Sequence, residues 1–288
     1  MVSSRGVEGS LSRITWRSHL AALWAILWKD WLHYIRYPMN AFFHIVEPIM
    51  WLVPIYFLGQ SFAIGGENRG FAAYTGTTEY MSFVLLGQVL GSFVSAVFWG
   101  MGYALKNEMD SGVLESNWIV PLSRPLMLVG RTLASVTITI VRSAGVLLLA
   151  GICFGFRISG GVLSALTAIV PMLIALYGFG FAFAALILLL REPNTLIDIS
   201  NFAVQILAGS RYPVTVLPRA LYVVALALPL TYGYDAVRGF LLNASTIIPI
   251  GYEVLLLVIF AGILAPVGYG IFKLVERRCR KLGTLGLH

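Results

Sequence analysis

The sequence predicts an all-α membrane protein with six transmembrane helices, an N-terminal amphipathic interfacial helix, and a re-entrant helical hairpin between helices 5 and 6. Composition supports this first, because 58% of the residues are hydrophobic and only 11% are charged, whereas about a quarter are charged in soluble domains. The chain also contains a series of apolar stretches, each about as long as a bilayer-spanning helix. A proline-rich apolar stretch then follows that no straight helix accommodates. We expect one membrane domain covering residues 1–288.

The six crossings are predicted from the length of the apolar stretches. A helix needs about 20 mostly apolar residues to cross the hydrocarbon core of a bilayer. The stretches that meet this requirement are 41–59, 81–104, 126–155, 162–190, 196–217 and 250–274. A further apolar segment, 219–242, contains Pro229 and Gly233 and is predicted to enter and leave the membrane on one side.

The segment 18–37 is predicted to be an interfacial helix that lies flat on the inner leaflet. Its more polar positions recur at helical spacing, with Ile26 as the exception, and apolar side chains take the other side. Pro38 is expected to end this helix, and Asn40 to cap the first crossing. The alternative is a simple extension of the first crossing. The polar side contains His19, Ala22, Lys29, His33 and Arg36, and the apolar side contains Leu20, Leu23, Trp24, Leu27, Trp31 and Ile35.

The charge distribution predicts the orientation of the chain. Basic residues collect at both ends, and cytoplasmic segments of membrane proteins carry such an excess of Lys and Arg. Both termini are therefore expected in the cytoplasm of a multi-pass cell-membrane protein. The formal charge of +7 is explained by this topology, so we predict contact with the lipid bilayer and no binding of nucleic acid. The basic ends contain Arg5, Arg13, Arg17, Lys29 and Arg36, and Arg277, Arg278, Arg280 and Lys281.

The stretch from Gly209 to Gly239 is predicted to be a broken element of the membrane domain. It is apolar, yet several prolines and a glycine interrupt it. Irregular backbone at membrane depth is tolerated where protein or a water-filled cavity satisfies its polar groups. We therefore expect this element beside a translocation path. Its candidate gate residues are Gly209, Tyr212, Pro213, Pro218, Pro229 and Tyr232.

The connection 106–125 is the sizeable loop predicted on the cytoplasmic side, and it is acidic. Anionic lipid would repel such a loop, whereas a basic groove on a protein would attract it. A solvated loop without a partner is the alternative. Candidate contact residues for a protein partner are Glu108, Asp110, Gly112, Leu114, Glu115 and Trp118.

These residues resemble the permease subunits of type 2 ATP-binding-cassette (ABC) transporters. That family has an E-x-x-x-G-x-[LF]-E loop followed by P-[LVI]-S-R, and a later region with an aromatic-Pro pair, L-P, P-L-T-Y and an Arg. Asn107 departs from many members, which have a charged residue before the glutamate. The matching positions are Glu108, Gly112, Leu114, Glu115, Pro121, Ser123, Arg124, Gly209, Tyr212, Pro213, Leu217, Pro218, Pro229, Leu230, Thr231, Tyr232 and Arg238.

The resemblance implies an export permease of a prokaryotic cell membrane that moves a hydrophobic or amphiphilic compound of the drug, lipid or glycan-lipid class. Two copies of a cytoplasmic ABC ATPase subunit would grip the loop 106–125. ATP and Mg would bind on that partner, so no cofactor is expected on this chain, which lacks a G-x-x-x-x-G-K-[ST] loop. A second permease, forming a homodimer or a close heterodimer, would complete the path.

Charged groups inside the predicted spans are candidate functional residues because each is costly at the bilayer centre. Arg142 lies deep in the third span, and His44 and Glu47 share a helical face in the first. Two interpretations remain open for these three residues. They form either a buried brace, with Arg142 held by an acid or a helix-end carbonyl, or part of a transport pathway.

Two other classes of protein remain as alternatives. An ion-coupled secondary transporter would carry several buried carboxylates or an internal repeat. An integral membrane enzyme would cluster His, Asp, Glu or Cys at catalytic or metal-ligand spacing. The acidic cluster Glu108–Glu115 has no histidine or cysteine nearby. We therefore predict no catalytic residue and no metal ligand.

Overall fold

The structure, a computed structural model, describes residues 16–63, 68–110, 124–156, 158–190 and 193–282. Within these ranges the regular structure is helical, as the sequence predicts, with one short 3₁₀ turn at Val214–Val216. The α-helices of the described ranges are α1 (Trp16–Arg36), α2 (Pro38–Ser61), α3 (Arg69–Thr75), α4 (Tyr80–Asp110), α5 (Arg124–Phe154), α6 (Val162–Leu190), α7 (Pro193–Leu207), α8 (Arg219–Leu226), α9 (Pro229–Leu242) and α10 (Ile250–Leu282).

Five of these helices are long and apolar enough to cross a membrane: α2, α4, α5, α6 and α10. They correspond to the first, second, third, fourth and sixth predicted spans. The pair α8 and α9 together passes the same test, but the two helices meet at an angle of 87°. Such a bend is the geometry of a broken span or a re-entrant loop. The predicted re-entrant insertion of 219–242 therefore stays a prediction.

The fifth predicted span, 196–217, is wrong as a single helix. Helix α7 ends at Leu207, and at 15 residues it is only about 22 Å long. Gly209 follows with a positive φ of 70°, which the glycine adopts without the steric cost of a side chain. Pro213 and Pro218 then flank the 3₁₀ turn. Each proline lacks the backbone N–H that an α-helix would need at its position, so the helix does not continue through this segment.

The junction between α1 and α2 differs from the prediction in detail. Helix α1 ends at Arg36, but Asn40 lies inside α2 and does not cap it. Tyr37 occupies the cap position and Pro38 the first turn. A proline fits there because the first N–H groups of a helix have no intrahelical acceptor.

Helix α1 packs on α5 with one face and leaves an apolar stripe exposed. Leu23 and Ile26 approach Gly130 of α5, and the Trp31 Nε1–H donates to Thr137 Oγ1 at 3.1 Å. The placement of this helix on the inner leaflet remains a prediction that the exposed stripe suits. The stripe consists of Leu20, Trp24, Trp28, Leu32 and Ile35.

The loop predicted at 106–125 begins later than expected, because α4 continues to Asp110. Positions 108 and 110 therefore belong to the last turns of a helix. Positions 111–123 lie outside the described residues. Gly112, Leu114, Glu115 and Trp118 fall in that segment, together with the matched positions Pro121 and Ser123.

The core lies around α4 and α6, with α9 and α10 packed against them. Gly178 of α6 and Gly268 of α10 bring the two backbones into direct contact, since a Cβ on either would meet the other helix's main chain. Small residues at such crossings let membrane helices pack closely. In the most apolar part of α4, 72% of the residues are buried.

Helix α2, in contrast to α4, is mostly exposed. Only 6% of the residues in its most apolar part are buried, and it contacts α1, α4 and α5 along one side. Pro48 and Pro54 lie inside it. The structure therefore places α2 at the edge of the bundle, with most of its surface facing outward.

Candidate functional site

A polar cleft opens between α2, α4, α5 and α7. Its volume is about 820 Å³, and its wall combines charged, hydroxyl and aromatic side chains. Polar groups at this depth of a membrane helix bundle normally face protein or water. The principal lining residues are His44, Glu47 and Trp51 of α2; Gln88, Ser92, Ser95 and Trp99 of α4; Ser135, Thr139, Arg142 and Ser143 of α5; Phe202 and Gln205 of α7; and Arg211 beyond it.

The structure brings the three charged residues singled out from the sequence into this one cleft. His44, Glu47 and Arg142 all line it, and Arg142 lies in the electrostatic range of Glu47 and Tyr34. Yet Arg142 forms no hydrogen bond or ion pair with any residue that the structure describes. Arg142 therefore interacts with the acid Glu47 through space and not by a direct contact, and the brace and the pathway both stay predictions for these three residues.

Hydrogen bonds between side chains hold the walls of the cleft together. Asn201 Nδ2 of α7 donates to Ser95 Oγ of α4 at 3.0 Å, and Gln205 Nε2 donates to Asn201 Oδ1 at 3.0 Å. The hydroxyls of Ser92 and Ser143 meet at 3.4 Å between α4 and α5. These contacts fix three walls of the cleft, whereas α2 completes the fourth with charged and aromatic groups.

Two smaller cavities continue the cleft in opposite directions. One, of about 330 Å³, shares His44, Trp99 and Arg142 with the cleft and extends to α1. The other, of about 440 Å³, shares Arg211 and extends to Tyr212 and Pro213. The three cavities contact α2 at successive positions from 40 to 55, a distance of about 22 Å along a helix. They therefore form a row that follows α2 through most of a bilayer's hydrocarbon thickness.

The predicted gate residues form the framework of the chain break at the far end of this row. The Tyr212 hydroxyl donates to the Ile206 carbonyl at 2.7 Å and so ties the turn back to α7. Pro213 precedes the 3₁₀ turn, and Pro218 precedes α8. The break is thus a defined turn, held by a hydrogen bond and by fixed proline dihedrals.

The bend between α8 and α9 is held in the same manner. Pro229 begins α9, where a proline is well accommodated. The hydroxyls of Thr231 and Tyr232 donate back across the bend to the carbonyls of Ala225, at 2.6 Å, and Leu226, at 2.9 Å. Both hydroxyls therefore satisfy carbonyls at the C-terminal end of α8.

Arg238 of α9 connects the turn after α7 to helix α4 through hydrogen bonds. It is 2% exposed and donates three hydrogen bonds to backbone carbonyls: Nε to Phe83 at 3.2 Å, Nη1 to Gly209 at 2.8 Å and Nη2 to Ser210 at 2.6 Å. Its guanidinium also lies 3.5 Å from the ring centroid of Phe83. The charge is thereby compensated by carbonyl dipoles and an aromatic face.

A carboxyl pair joins α9, α10 and the connection between them. Asp235 Oδ2 accepts a hydrogen bond from the Ile247 N–H at 2.7 Å, and Glu253 Oε1 accepts one from the Ile248 N–H at 3.5 Å. The two carboxyl groups are close enough to interact. Glu253 is 0% exposed. Glu253 lies near the start of the predicted span 250–274, and the structure adds that it is fully buried.

Sequence reasoning missed the polar lining of α4 and α7, including Gln88, Ser95 and Gln205. A signal for it is present in the sequence. Positions 88, 92, 95 and 99 of α4 and positions 135, 139, 142 and 146 of α5 follow the same spacing of four, three and four, which places each set on one helical face. The first three residues of each set are polar, and polar residues at that spacing in two apolar helices indicate facing stripes around a shared cavity.

A profile of the ABC-2 type transporter family matches residues 21–242, which is well over half of the chain. The chain is also similar to the daunorubicin resistance ABC transporter permease protein DrrB1 of Streptomyces coeruleorubidus, at 25% identity over 169 residues. That match covers 58% of this chain and 55% of the relative, so it spans about half the length of the curated relative.

Proposed function

The chain belongs to the ABC-2 type transporter family, and we propose that it is the membrane-spanning permease subunit of an ATP-driven exporter. Its cargo is a hydrophobic or amphiphilic compound. The observation that carries this proposal is the row of three cavities that follows α2 between α1 and the break after α7. The name of the similar permease refers to drug resistance, which supports a cargo of the drug or lipid class.

The energy comes from a separate subunit in this proposal. Two copies of a cytoplasmic ABC ATPase bind ATP and Mg and contact the segment that begins at Glu108. Helices α4 and α5, on either side of that segment, have 31 residues each and are about 46 Å long. They exceed the roughly 30 Å hydrocarbon core, so they can transmit a movement of the ATPase to the walls of the cleft.

A second permease closes the path from the open side. The row of cavities is bounded by α2, whose outward face bears large apolar side chains such as Phe43, Met50 and Phe57. A two-fold pair, either a homodimer or a close heterodimer, would enclose the cavities between two such helices. Both termini lie in the cytoplasm, and the complex resides in the cell membrane of a prokaryote, which the Streptomyces relative suits.

The experiment that tests this function begins with isolation of the tagged chain together with its ATPase. Inverted membrane vesicles that contain the complex are then assayed for ATP-dependent uptake of daunorubicin and of a dansyl-labelled long-chain amphiphile. Uptake that requires both ATP and the ATPase supports the proposal. Uptake that proceeds without the ATPase on an ion gradient contradicts it.

The contact with the ATPase is tested by charge reversal. Glu108→Lys combined with Glu115→Lys should release the ATPase or uncouple its hydrolysis from uptake, because a basic groove then meets like charge. Insertion into the membrane should be unchanged. Glu67→Lys is the matched control, since residue 67 lies between the first two predicted spans and therefore, with a cytoplasmic N-terminus, on the opposite side of the membrane from the loop 106–125 in the predicted topology. Unchanged co-purification and uptake in the double variant would contradict the docking assignment.

One observation favours a second candidate, an ion-coupled secondary transporter. Asp235 and Glu253 form a carboxyl pair in which Glu253 is fully buried, and buried carboxylates are a frequent feature of ion-coupled transporters. The vesicle experiment separates the two candidates, because only the secondary transporter moves its cargo when the ATPase is absent and a proton or sodium gradient is present.

A further inference from the structure

We propose that the cleft selects an amphiphile with an anionic head group, which Arg142 binds while the aromatic wall contacts the apolar body. This inference rests on the proposed permease function and names the chemistry of the cargo. A carboxylate, sulfate or phosphate head would satisfy it.

Arg142 borders two cavities and is withdrawn from bulk water. It lies on α5 at the junction of two cavities, so the same guanidinium borders the cleft and the smaller cavity toward α1. It is half-buried and makes no hydrogen bond or ion pair within the described part of the chain. A guanidinium withdrawn from bulk water is stabilised by an acceptor, and carboxylates and phosphates match its planar fork.

The charged residues that line the cleft are more basic than acidic. Two arginines, Arg142 and Arg211, line the cleft together with a single glutamate, Glu47, and a histidine, His44. Arg142 is the more withdrawn of the opposite charges, because Glu47 is exposed at the open side of α2. The withdrawn charge in the cleft is therefore positive, which favours an anion.

Several other polar groups of the cleft already form hydrogen bonds within the protein. The amides of Asn201 and Gln205 and the hydroxyl of Ser95 bond to one another, and the Thr139 hydroxyl donates to the Ser135 carbonyl at 2.8 Å. These groups already use donors within the protein. Arg142 and Arg211 each bring a guanidinium with five N–H donors to the lining, and that of Arg142 is the more buried of the two.

The apolar part of the ligand has its own surface. Trp51, Trp99 and Phe202 line the same cleft as Arg142. Aromatic rings present large apolar areas and stack on flat or extended groups. A charged head on Arg142 with an apolar body along these rings describes a single-chain or aromatic amphiphile.

The test compares three probes that differ only in the head group: a dansyl-labelled long-chain carboxylic acid, its primary amide and the corresponding primary amine. Binding to the complete permease–ATPase complex in phosphatidylcholine nanodiscs is measured by fluorescence at neutral pH, without ATP, against empty nanodiscs. The acid should bind about tenfold more tightly than the amide, the lower end of the range for a charge-assisted hydrogen bond.

Variants assign that preference to the guanidinium. Arg142→Gln should bring the acid and the amide to within about twofold of each other, and Arg142→Lys should keep part of the preference because it retains a point charge. Glu47→Gln should leave or increase the preference. Arg219→Gln, which removes an exposed charge outside these cavities, is the matched control and should change nothing.

Three results would overturn the proposal. Equal affinities of acid and amide for the unmodified complex would show that the head group is not recognised. Tightest binding of the amine, lost in Glu47→Gln, would show a cation site. Loss of the acid preference in nanodiscs that contain phosphatidylglycerol would show that a membrane phospholipid occupies Arg142. If head-group selection is absent while ATP-driven uptake persists, only this inference fails; if selection is present without uptake, the permease function fails.

Discussion

Two arginines of the helix bundle, Arg238 and Arg142, have opposite environments. Arg238 is 2% exposed and donates to three backbone carbonyls. Arg142 is half-buried in a large cleft and forms no hydrogen bond or ion pair with the residues described in the structure. Both are costly in a membrane protein. The difference lies in whether the protein itself provides the acceptors.

This comparison separates structural charges from candidate ligand-binding charges. Around Arg238, helices α4 and α9 and the turn after α7 meet closely, and Gly87 leaves no room for a side chain between them. Around Arg142 the helices diverge, and hydroxyl groups, aromatic rings and a second arginine line the space. A buried cation with all acceptors supplied holds a fold together, whereas one that faces a cavity remains available to bind a ligand.

The largest effect is expected when Arg238 is replaced. Arg238→Gln removes up to three charge-assisted hydrogen bonds from the break, each worth on the order of 2 kcal/mol, so the variant should fail to accumulate or should unfold at a much lower temperature in detergent. Arg142→Gln is the matched variant and should retain the thermal stability of the parent, measured by fluorescence-detected size exclusion. Equal losses of stability in the two variants would remove the distinction between them.

The next effect concerns the close approach at Gly87. A Cβ at this position would collide with the Ser210 carbonyl and the Arg238 side chain, and overpacking of this kind costs about 1–3 kcal/mol. Gly87→Ala should therefore lower the melting temperature in detergent. Gly262→Ala on α10 is the control, because nothing lies within 4 Å of its Cβ position. A parent-like melting temperature for Gly87→Ala would show that the turn at 209–211 moves away easily.

The third prediction concerns the turn at the far end of the row of cavities. Replacing both Pro213 and Pro218 by alanine frees the backbone dihedrals on either side of the 3₁₀ turn and costs about 1 kcal/mol per position or less. ATP-driven uptake into vesicles should fall severalfold, while the ATPase still co-purifies. Uptake at the parental rate would show that the rigidity of this turn is not required.

The smallest effect is expected at the carboxyl pair. Asp235→Ala removes the acceptor of the Ile247 N–H and should cost about 1 kcal/mol, while Asp235→Asn keeps an oxygen acceptor and should cost less. Thermal unfolding of the two variants measures the difference. If Asp235→Asn is the more damaging of the two, the negative charge and not the hydrogen bond stabilises this connection.

The sequence was sufficient for most of the helices, because the length and hydropathy of each span are local properties. Helix α6 begins and ends where the apolar stretch 162–190 does, and α5 differs from its predicted span by two residues at the start and one at the end. The failure at 196–217 has a physical reason. Hydropathy is continuous across Gly209, whereas the backbone is not, since the glycine adopts a positive φ and a proline follows four residues later.

The candidate site was predicted only in part. His44, Glu47 and Arg142 were found because a charge in an apolar stretch is visible without a structure. That they lie in one cleft depends on how α2 and α5 pack, and that packing is set by contacts over long sequence separations. The role of Arg238 was hidden for the same reason, because its acceptors at 83, 209 and 210 come from distant parts of the chain.

The two prolines inside α2 each leave one backbone carbonyl of that helix without a hydrogen-bond donor. Pro48 and Pro54 have no N–H to donate, so the carbonyl oxygens of His44 and Met50, four residues earlier, lack their usual helical partners. In hydrocarbon such oxygens are strongly unfavourable, and they are stabilised by water. His44 and Pro48 line the cleft, so α2 carries one such hydration site on the cleft wall, which favours water in the cleft itself.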